Sequence, residues 1–540
     1  MKILSALIVS VIFSGITHGQ NFLWAKSMGG VNDDFGYSIT VDVNGNIFTT
    51  GRFEATADFD PGPGTFTLSS GGGADVFVSK LDPNGNFLWA KSFGSPIGDD
   101  EGRCIVTDLS GNCYLTGLFC WTVDFDPSPN TFTLASAGVF DAFVVKLDAN
   151  GGFVWANKIG GKQWDNGNSI VLDSFGNSYS TGYFRDTVDF DPGINTFTLC
   201  SGSNGSHAFI NKLDVNGNFV WVKQIGGSTN SSAEGISMAL DVSGNIYTTG
   251  DFSGTVDFDP SPNTFTLMAG YSTFASKLDL NGNFIWAKQF TSYGASSIRT
   301  ESIGNVYITR SSGDMVIYKL DSNGNTVWTK TIGGPDMEKV RSSVVDNLGN
   351  IYIIGDFNGT VDFDPGPNTY TLTTIGSFDI FIIKLDGNGN LIGVIQLGGP
   401  WQDFGYGIAC DGAGDICSTG FFSETADFDP SSGVFNLTSS PSGWHDVFVH
   451  KMGKIVGLNE YEFENVFELF PNPTSGRVRC LFSNNITCDY KVTDVTGKLL
   501  KEGSLNGYLN EINLSGLSKG LYFVTISDKG HSQTKRIVLE

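Results

Sequence analysis

A chain of 540 residues that is 40% hydrophobic is too long for one ordinary core and too apolar to be disordered, so several domains or a repeat array are expected. Its 56 acidic against 32 basic side chains leave a net charge of −24, which opposes nucleic acid or anionic lipid as partners because both need basic surface. The 70 glycines and 43 phenylalanines, without any long amphipathic helical pattern, predict short strands joined by tight turns.

In chain order, the first element is a leader. Lys2 precedes an apolar run from Ile3 to Ile12, and Thr17 and Gly19 satisfy the small-residue rule before a cut. Residues 1–19 therefore read as a signal peptide, with Gln20 as the first mature residue. The run is too short for a mature anchor, and no later segment reaches transmembrane length.

Residues 20–452 repeat. A tryptophan in a Phe-x-Trp-Ala-Lys-like phrase recurs at Trp24, Trp89, Trp155, Trp221, Trp286 and Trp328, and Val394 holds a seventh position. The spacings are 65, 66, 66, 65, 42 and 66, so one supersecondary unit is copied seven times with one short copy. Each unit shows a hairpin such as Ser38 to Asp42, a Gly45 turn and Asn46 to Gly51, then a second hairpin such as Asp75 to Asp82 and Asn86 to Lys91. Between them lies an excursion, Ala57-Asp-Phe-Asp-Pro61 to Leu68. The short copy, 295–332, lacks that excursion and keeps all four strands. The unit is thus a four-stranded antiparallel meander, and its repetition predicts a seven-bladed β-propeller. The last copy lacks its Phe-x-Trp strand, while an orphan copy, Asn21 to Lys26, opens the mature chain and is expected to close the ring and protect an edge.

The phrases Asp34-Phe-Gly-Tyr37, Asp42-x-x-Gly-Asn46 and Tyr247-Thr-Thr-Gly250 resemble the bacterial beta-propeller repeat family called SBBP over about residues 21–452. That resemblance implies a propeller and no single activity.

The pattern stops after Lys451. A linker, 453–465, leads to residues 466–540, whose strands are punctuated by Pro and Gly turns and suffice for a small Ig-like β-sandwich. The phrases Leu469 to Gly476, Asp494 to Leu500 and Leu517 to Val524 resemble the type A sorting domain of type IX secretion. The matching positions are Pro471, Asn472, Pro473, Gly476, Asp494, Gly497, Lys498, Gly520 and Tyr522. The resemblance implies passage through the periplasm and across the outer membrane. It also implies a translocon and a sortase-like protease as partners, and a mature protein at the cell surface or in the medium.

Eight cysteines lie in a disulfide-permissive compartment, but Cys104/Cys113 and Cys410/Cys417 sit on opposite faces of predicted hairpins. Cys480 and Cys488 flank a predicted turn around Asn484 and either bridge or stand free.

Three polar features compete as sites. The Asp-x-Asn-Gly-Asn turns carry oxygens at calcium-ligand spacing but lack the terminal bidentate Glu, and they satisfy bulged-turn geometry unaided. The Asp-Phe-Asp-Pro carboxylates Asp58, Asp60, Asp124, Asp126, Asp189, Asp191, Asp257, Asp259, Asp362, Asp364, Asp427 and Asp429 persist in every copy of a dispensable excursion. They are the binding candidates, as a rim asking for cations or solvent; the alternative is that Phe packs and the Asps cap turns. The Asp75/Lys80-type pairs lie five apart on a strand, so they are expected to be solvated or loop-bonding and not ion-paired. No catalytic triad, zinc spacing or phosphate loop is present in the pattern, and no cofactor is called for apart from calcium at the turns. The leading reading is a non-enzymatic exported propeller that binds a glycan or surface protein. An extracellular polysaccharide- or protein-degrading enzyme and a structural spacer are the alternatives.

Overall fold

The structure is a computed structural model that describes residues 21–202, 205–227, 230–302, 304–440, 445–455, 467–494, 498–528 and 531–540. The expected leader 1–19, most of the expected linker and Gly497 lie outside the described residues. Two units separate at Ile455/Val456.

Local turn chemistry sets the register of the first unit. Asp42 Oδ1 accepts from the Asn44 and Asn46 amides, both at 2.9 Å, and Asn46 Nδ2 donates to Asp42 Oδ2 at 2.8 Å. Gly45 takes the left-handed conformation that closes this loop, at φ 81°. The Asp82, Asp214 and Asp279 turns repeat the same bonds; desolvation, the largest single effect, raises those carboxylates, and the hydrogen bonds together outweigh it and hold them below the usual range.

These turns link antiparallel meanders. The first sheet runs Phe35–Val41, Ile47–Asp58, Thr67–Leu81, Phe87–Phe93 from inner to outer strand. The short copy forms the same arrangement from Ala295–Thr300, Val306–Ser312, Asp314–Leu320 and Thr326–Ile332. The sheet Phe404–Cys410, Ile416–Phe422, Asp446–Met452 takes its outer strand from the other end of the chain, Phe22–Gly30. Each inner strand packs against the inner strand of the next sheet, and Phe404–Cys410 packs against Phe35–Val41, so the row returns on itself.

The core lies between neighbouring sheets, because each sheet is apolar on both faces. Phe48, Val76 and Val78 of the first sheet pack with Ile105, Leu115 and Phe143 of the second. Met28, Val447 and Val449 pack with Ile39, Phe53 and Phe77, which seals the junction between chain ends. The repeated tryptophan belongs to these junctions: Trp24, Trp89 and Trp155 Nε1 donate to the Pro83, Ala149 and Val215 carbonyls in the next sheet's turn, each at 3.2 Å. The repeated lysines are buried, not solvated. Lys80 Nζ donates to the Ala149 carbonyl at 3.0 Å and stands 4.7 Å over the Phe48 ring, so it bonds a loop across sheets.

The second unit is one antiparallel sheet. Arg477–Asp494 pairs with Phe467–Phe470, Leu499–Asn513 and Gly520–Asp528, and Gly520–Asp528 with His531–Leu539. The turn expected around Asn484 is absent: Arg477–Asp494 is one strand whose register slips between Leu481 and Ile486, absorbing the irregularity. Cys480 and Cys488 are buried in one core with Val478 and Val524 and are not bridged.

Candidate functional site

The Asp-Phe-Asp excursions lie on the outer parts of the sheets. Asp58 Oδ1 accepts from the Asp60 amide at 3.0 Å and the Phe66 amide at 2.8 Å, and Asp60 Oδ1 accepts from Gly62 at 2.9 Å. The same bonds recur at Asp124/Asp126, Asp189/Asp191, Asp257/Asp259, Asp362/Asp364 and Asp427/Asp429. The intervening Phe59 is buried, with its ring 5.3 Å from Phe53 and 5.0 Å from Phe77. Asp58, Asp189, Asp257, Asp362 and Asp427 also form backbone bridges to a glycine ending the preceding sheet's outer strand. The excursion therefore fastens neighbouring sheets together.

A cavity of about 1060 Å³ lies on the axis, lined by the inner strands of all the sheets and by none of those twelve aspartates. Every inner strand carries a bulge at the same place, and the extra residue is Tyr37, Arg103, Asn168, Ile236, Ser296, Arg341 or Tyr406. A bulge leaves one residue unpaired and re-aims its side chain. Five of these residues directly follow a glycine of the repeat, Ser296 and Arg341 follow Ala295 and Val340, and all seven line the cavity. The copies agree at turns and core positions but differ here, so symmetry breaks at the axis.

The geometry there is polar and aromatic. Tyr37 and Tyr406 meet edge to face at 5.3 Å. Arg341 lies 4.6 Å over the Tyr406 ring and pairs with Asp356 through Nε at 2.6 Å. Arg103 and Arg52 share Glu101, at 2.8 and 3.4 Å, and Arg52 also stands 4.8 Å over Phe35. Burial pushes the Tyr37 and Tyr406 phenols and the Glu234 carboxyl upward. The lining holds Arg103, Arg299 and Arg341 against Glu101 and Glu234, in a chain of net charge −24. The six arginines among residues 21–455 all lie on the inner two strands of their sheets: Arg52, Arg103, Arg185, Arg299, Arg310 and Arg341. The signal that would have located this site in the sequence is the varied residue after the glycine in Asp-Phe-Gly-Tyr-like phrases, together with that confinement of arginine.

The sorting-motif residues serve turns and strand ends of the second unit. Asn472 Nδ2 donates to the Arg536 carbonyl at 3.0 Å, while its Oδ1 accepts from Val538 at 2.9 Å. The Gly476 carbonyl accepts from Leu514 at 2.7 Å, and Lys498 donates its amide to Asp494 Oδ1 at 3.1 Å. Tyr522 lies opposite Asp494 on one side and Ile537 on the other, and its hydroxyl donates to the Ser518 carbonyl at 2.5 Å. Gly520 pairs opposite Leu539, and Pro471 and Pro473 flank Asn472.

Comparison with known proteins agrees with this division. An uncharacterized WD repeat-containing protein of Acanthamoeba polyphaga mimivirus is 26% identical over 466 residues, covering 76% of this chain and 32% of the relative. The chain thus spans about a third of the length of that curated relative. Among solved structures, the Dos1 propeller has a TM-score of 0.38 at 9% identity, covering 82% of this chain and 98% of that one. Quinohemoprotein alcohol dehydrogenase from Comamonas testosteroni has a TM-score of 0.40 at 12% identity, covering 84% and 78%. Residues 24–52 and 220–251 match the beta-propeller repeat model, and residues 468–540 match the secretion system C-terminal sorting domain. The chain carries SBBP-type β-propeller repeats and ends in a type IX secretion sorting domain.

Proposed function

We propose that this is an exported, seven-bladed propeller that binds a polar ligand end-on in its axial cavity at the cell surface or in the medium. The observation that carries the reading is the bulge ring: seven differing side chains, one from each copy, face a cavity large enough for a small ligand or chain end. The propeller occupies 20–452 and the sorting domain 466–540, whose single hydrogen-bonded sheet folds over into an Ig-like sandwich in this reading, because one edge of Arg477–Asp494 changes partner along its length. In this reading the type IX translocon carries the chain across the outer membrane after the periplasm, and a sortase-like protease removes the tail. The test is binding of the secreted chain to glycan and peptide arrays, with Tyr37→Ala/Tyr406→Ala as the comparison. Binding by wild type that the double variant loses is expected; binding that survives unchanged would move the site away from the axis.

Two other readings have specific support. The rim carboxylates Asp58 to Asp429 are half-exposed and recur on one structural feature, which favours a cation-dependent contact surface. Calcium dependence of array binding, abolished by substituting these aspartates, marks that reading. Glu234 lines the cavity with a raised pKa, the condition a general acid needs, which favours a hydrolase or lyase. Turnover of a polysaccharide or peptide library, lost in Glu234→Gln, marks that one.

A further inference from the structure

The axis contains one arginine whose place in the repeat is otherwise held by small or apolar residues. Arg299 aligns with Thr40, Val106, Val171, Ala239, Val344 and Ala409 of the other inner strands. It comes from the short copy, the sheet without an excursion.

Its guanidinium is held by neutral groups. Nε donates to the Ser343 carbonyl at 2.7 Å, and Nη1 donates to the Ile298 carbonyl at 2.8 Å and to Ser237 Oγ at 3.2 Å. The other cavity arginines are paired, Arg103 with Glu101 and Arg341 with Asp356. Among the described residues no carboxylate pairs with Arg299 and none accepts a hydrogen bond from its Nη2. The surrounding bonds come from the sheets on either side, so the side chain is braced in position before any ligand arrives. A fixed, poorly solvated cation with free N–H groups is a carboxylate receptor, because the planar fork matches a carboxylate and water no longer competes fully.

We propose that Arg299 is a carboxylate subsite of the axial cavity and that the ligand is a uronic-acid saccharide; this rests on the axial-binding reading above. The hydroxylated body of such a ligand matches the rest of the lining. Ser237 offers a hydroxyl beside the cation, and Asn168, Tyr37 and Tyr406 offer an amide and two rings at the bulge level of the lining. This pairing of an internal cation with cavity-lining tyrosine rings favours an acidic saccharide over an acidic peptide.

The experiment is calorimetric titration of the full secreted chain with trigalacturonate and with neutral trigalactose, which differ at the carboxylate. The acidic sugar is expected to bind at least ~10-fold more tightly, the scale of one charge-assisted bidentate contact. Arg299→Met should erase that preference. Arg299→Lys keeps charge and stem, preserves the fold if Met does not, and should still lose roughly 10-fold because the fork is gone. Equal affinity for the two sugars in the wild-type chain, or an unchanged acid preference in both variants, overturns the proposal. Array binding that persists without acid preference removes the Arg299 assignment alone; an array with no binding at all removes the axial-binding reading. Acidic peptides outcompeting trigalacturonate on the array would overturn the saccharide assignment.

Discussion

The carboxylates of Asp34 and Asp446 face one another across Gly29, where the two ends of the repeat array meet. A Cβ on Gly29 would lie 2.5 Å from Asp446 Oδ1 and 3.0 Å from Asp34 Oδ2. Asp75/Asp100, Asp141/Asp165 and Asp379/Asp403 form like pairs at other junctions, and His207 takes the equivalent place in another copy, accepting from the Gly227 amide at 3.2 Å. Burial, opposed by backbone hydrogen bonds, pushes Asp34 up to about 8 and Asp75, Asp165, Asp403 and Asp446 up to about 7.

These pairs give stability a definite pH dependence. The folded pKa lies above the unfolded value near 3.8, so the folded state binds more protons and stability falls as pH rises through about 7 to 8. Two buried histidines work the other way: desolvation depresses His207 and takes His450 to about 3, so they cost stability as pH falls below the unfolded value of 6.5. The window free of that opposition is pH 6.5 to 8.5. The melting temperature is expected to be higher at pH 6.5 than at 8.5, and Asp446→Asn should flatten the slope. A melting temperature that rises with pH across this window would contradict the raised carboxyl pKa values.

Ring closure depends on Phe22–Gly30. Removing residues 21–30 strips the partner from Asp446–Met452 and exposes an unpaired strand edge, along with the Val447/Val449 core. Lower thermal stability and concentration-dependent aggregation in light scattering are expected. A monomer that melts like wild type would mean that the strand is ornamental.

Within the excursion the phenylalanine should matter more than the carboxylates. Phe59→Ala is expected to lose about 3–5 kcal/mol by cavity formation. Asp58→Ala removes acceptors for two backbone amides and should lose about 1–2 kcal/mol. Urea midpoints of the two variants measure the order; a larger loss for Asp58→Ala would mean that the carboxylate holds more than its turn.

The cysteines offer a chemical check. None of the eight is in a disulfide, and only Cys200 is exposed. Burial pushes Cys113, Cys410 and Cys480 up to about 12, which keeps their thiols unreactive. One thiol should titrate rapidly with a disulfide reagent in the native chain and all eight after denaturation without reductant. Six on denaturation would reveal a Cys480–Cys488 bridge.

Much of the architecture is legible in the repeat. The Asp42 and Gly45 turn is specified by residues four apart, so its geometry follows from local chemistry alone. The orphan phrase around Trp24 and the missing strand after Lys451 are likewise visible in the chain, and those two segments pair. For Lys80 the sequence left solvation and loop bonding open, and its burial and its particular partner were not legible. The Ala149 carbonyl lies 69 residues away in the next sheet, and a strand pattern does not say which loop a lysine reaches.

The sequence by itself determined the repeating meander, the turns and the sorting tail, because each is set by contacts between residues close in the chain or by a phrase copied many times. Only the tertiary structure decided where function is placed. Tyr37, Arg103, Arg299, Arg341 and Tyr406 are scattered over more than 300 positions and share no motif. They become one site because bulged inner strands converge on an axis, and convergence of that kind is a property of the closed array, not of any single copy.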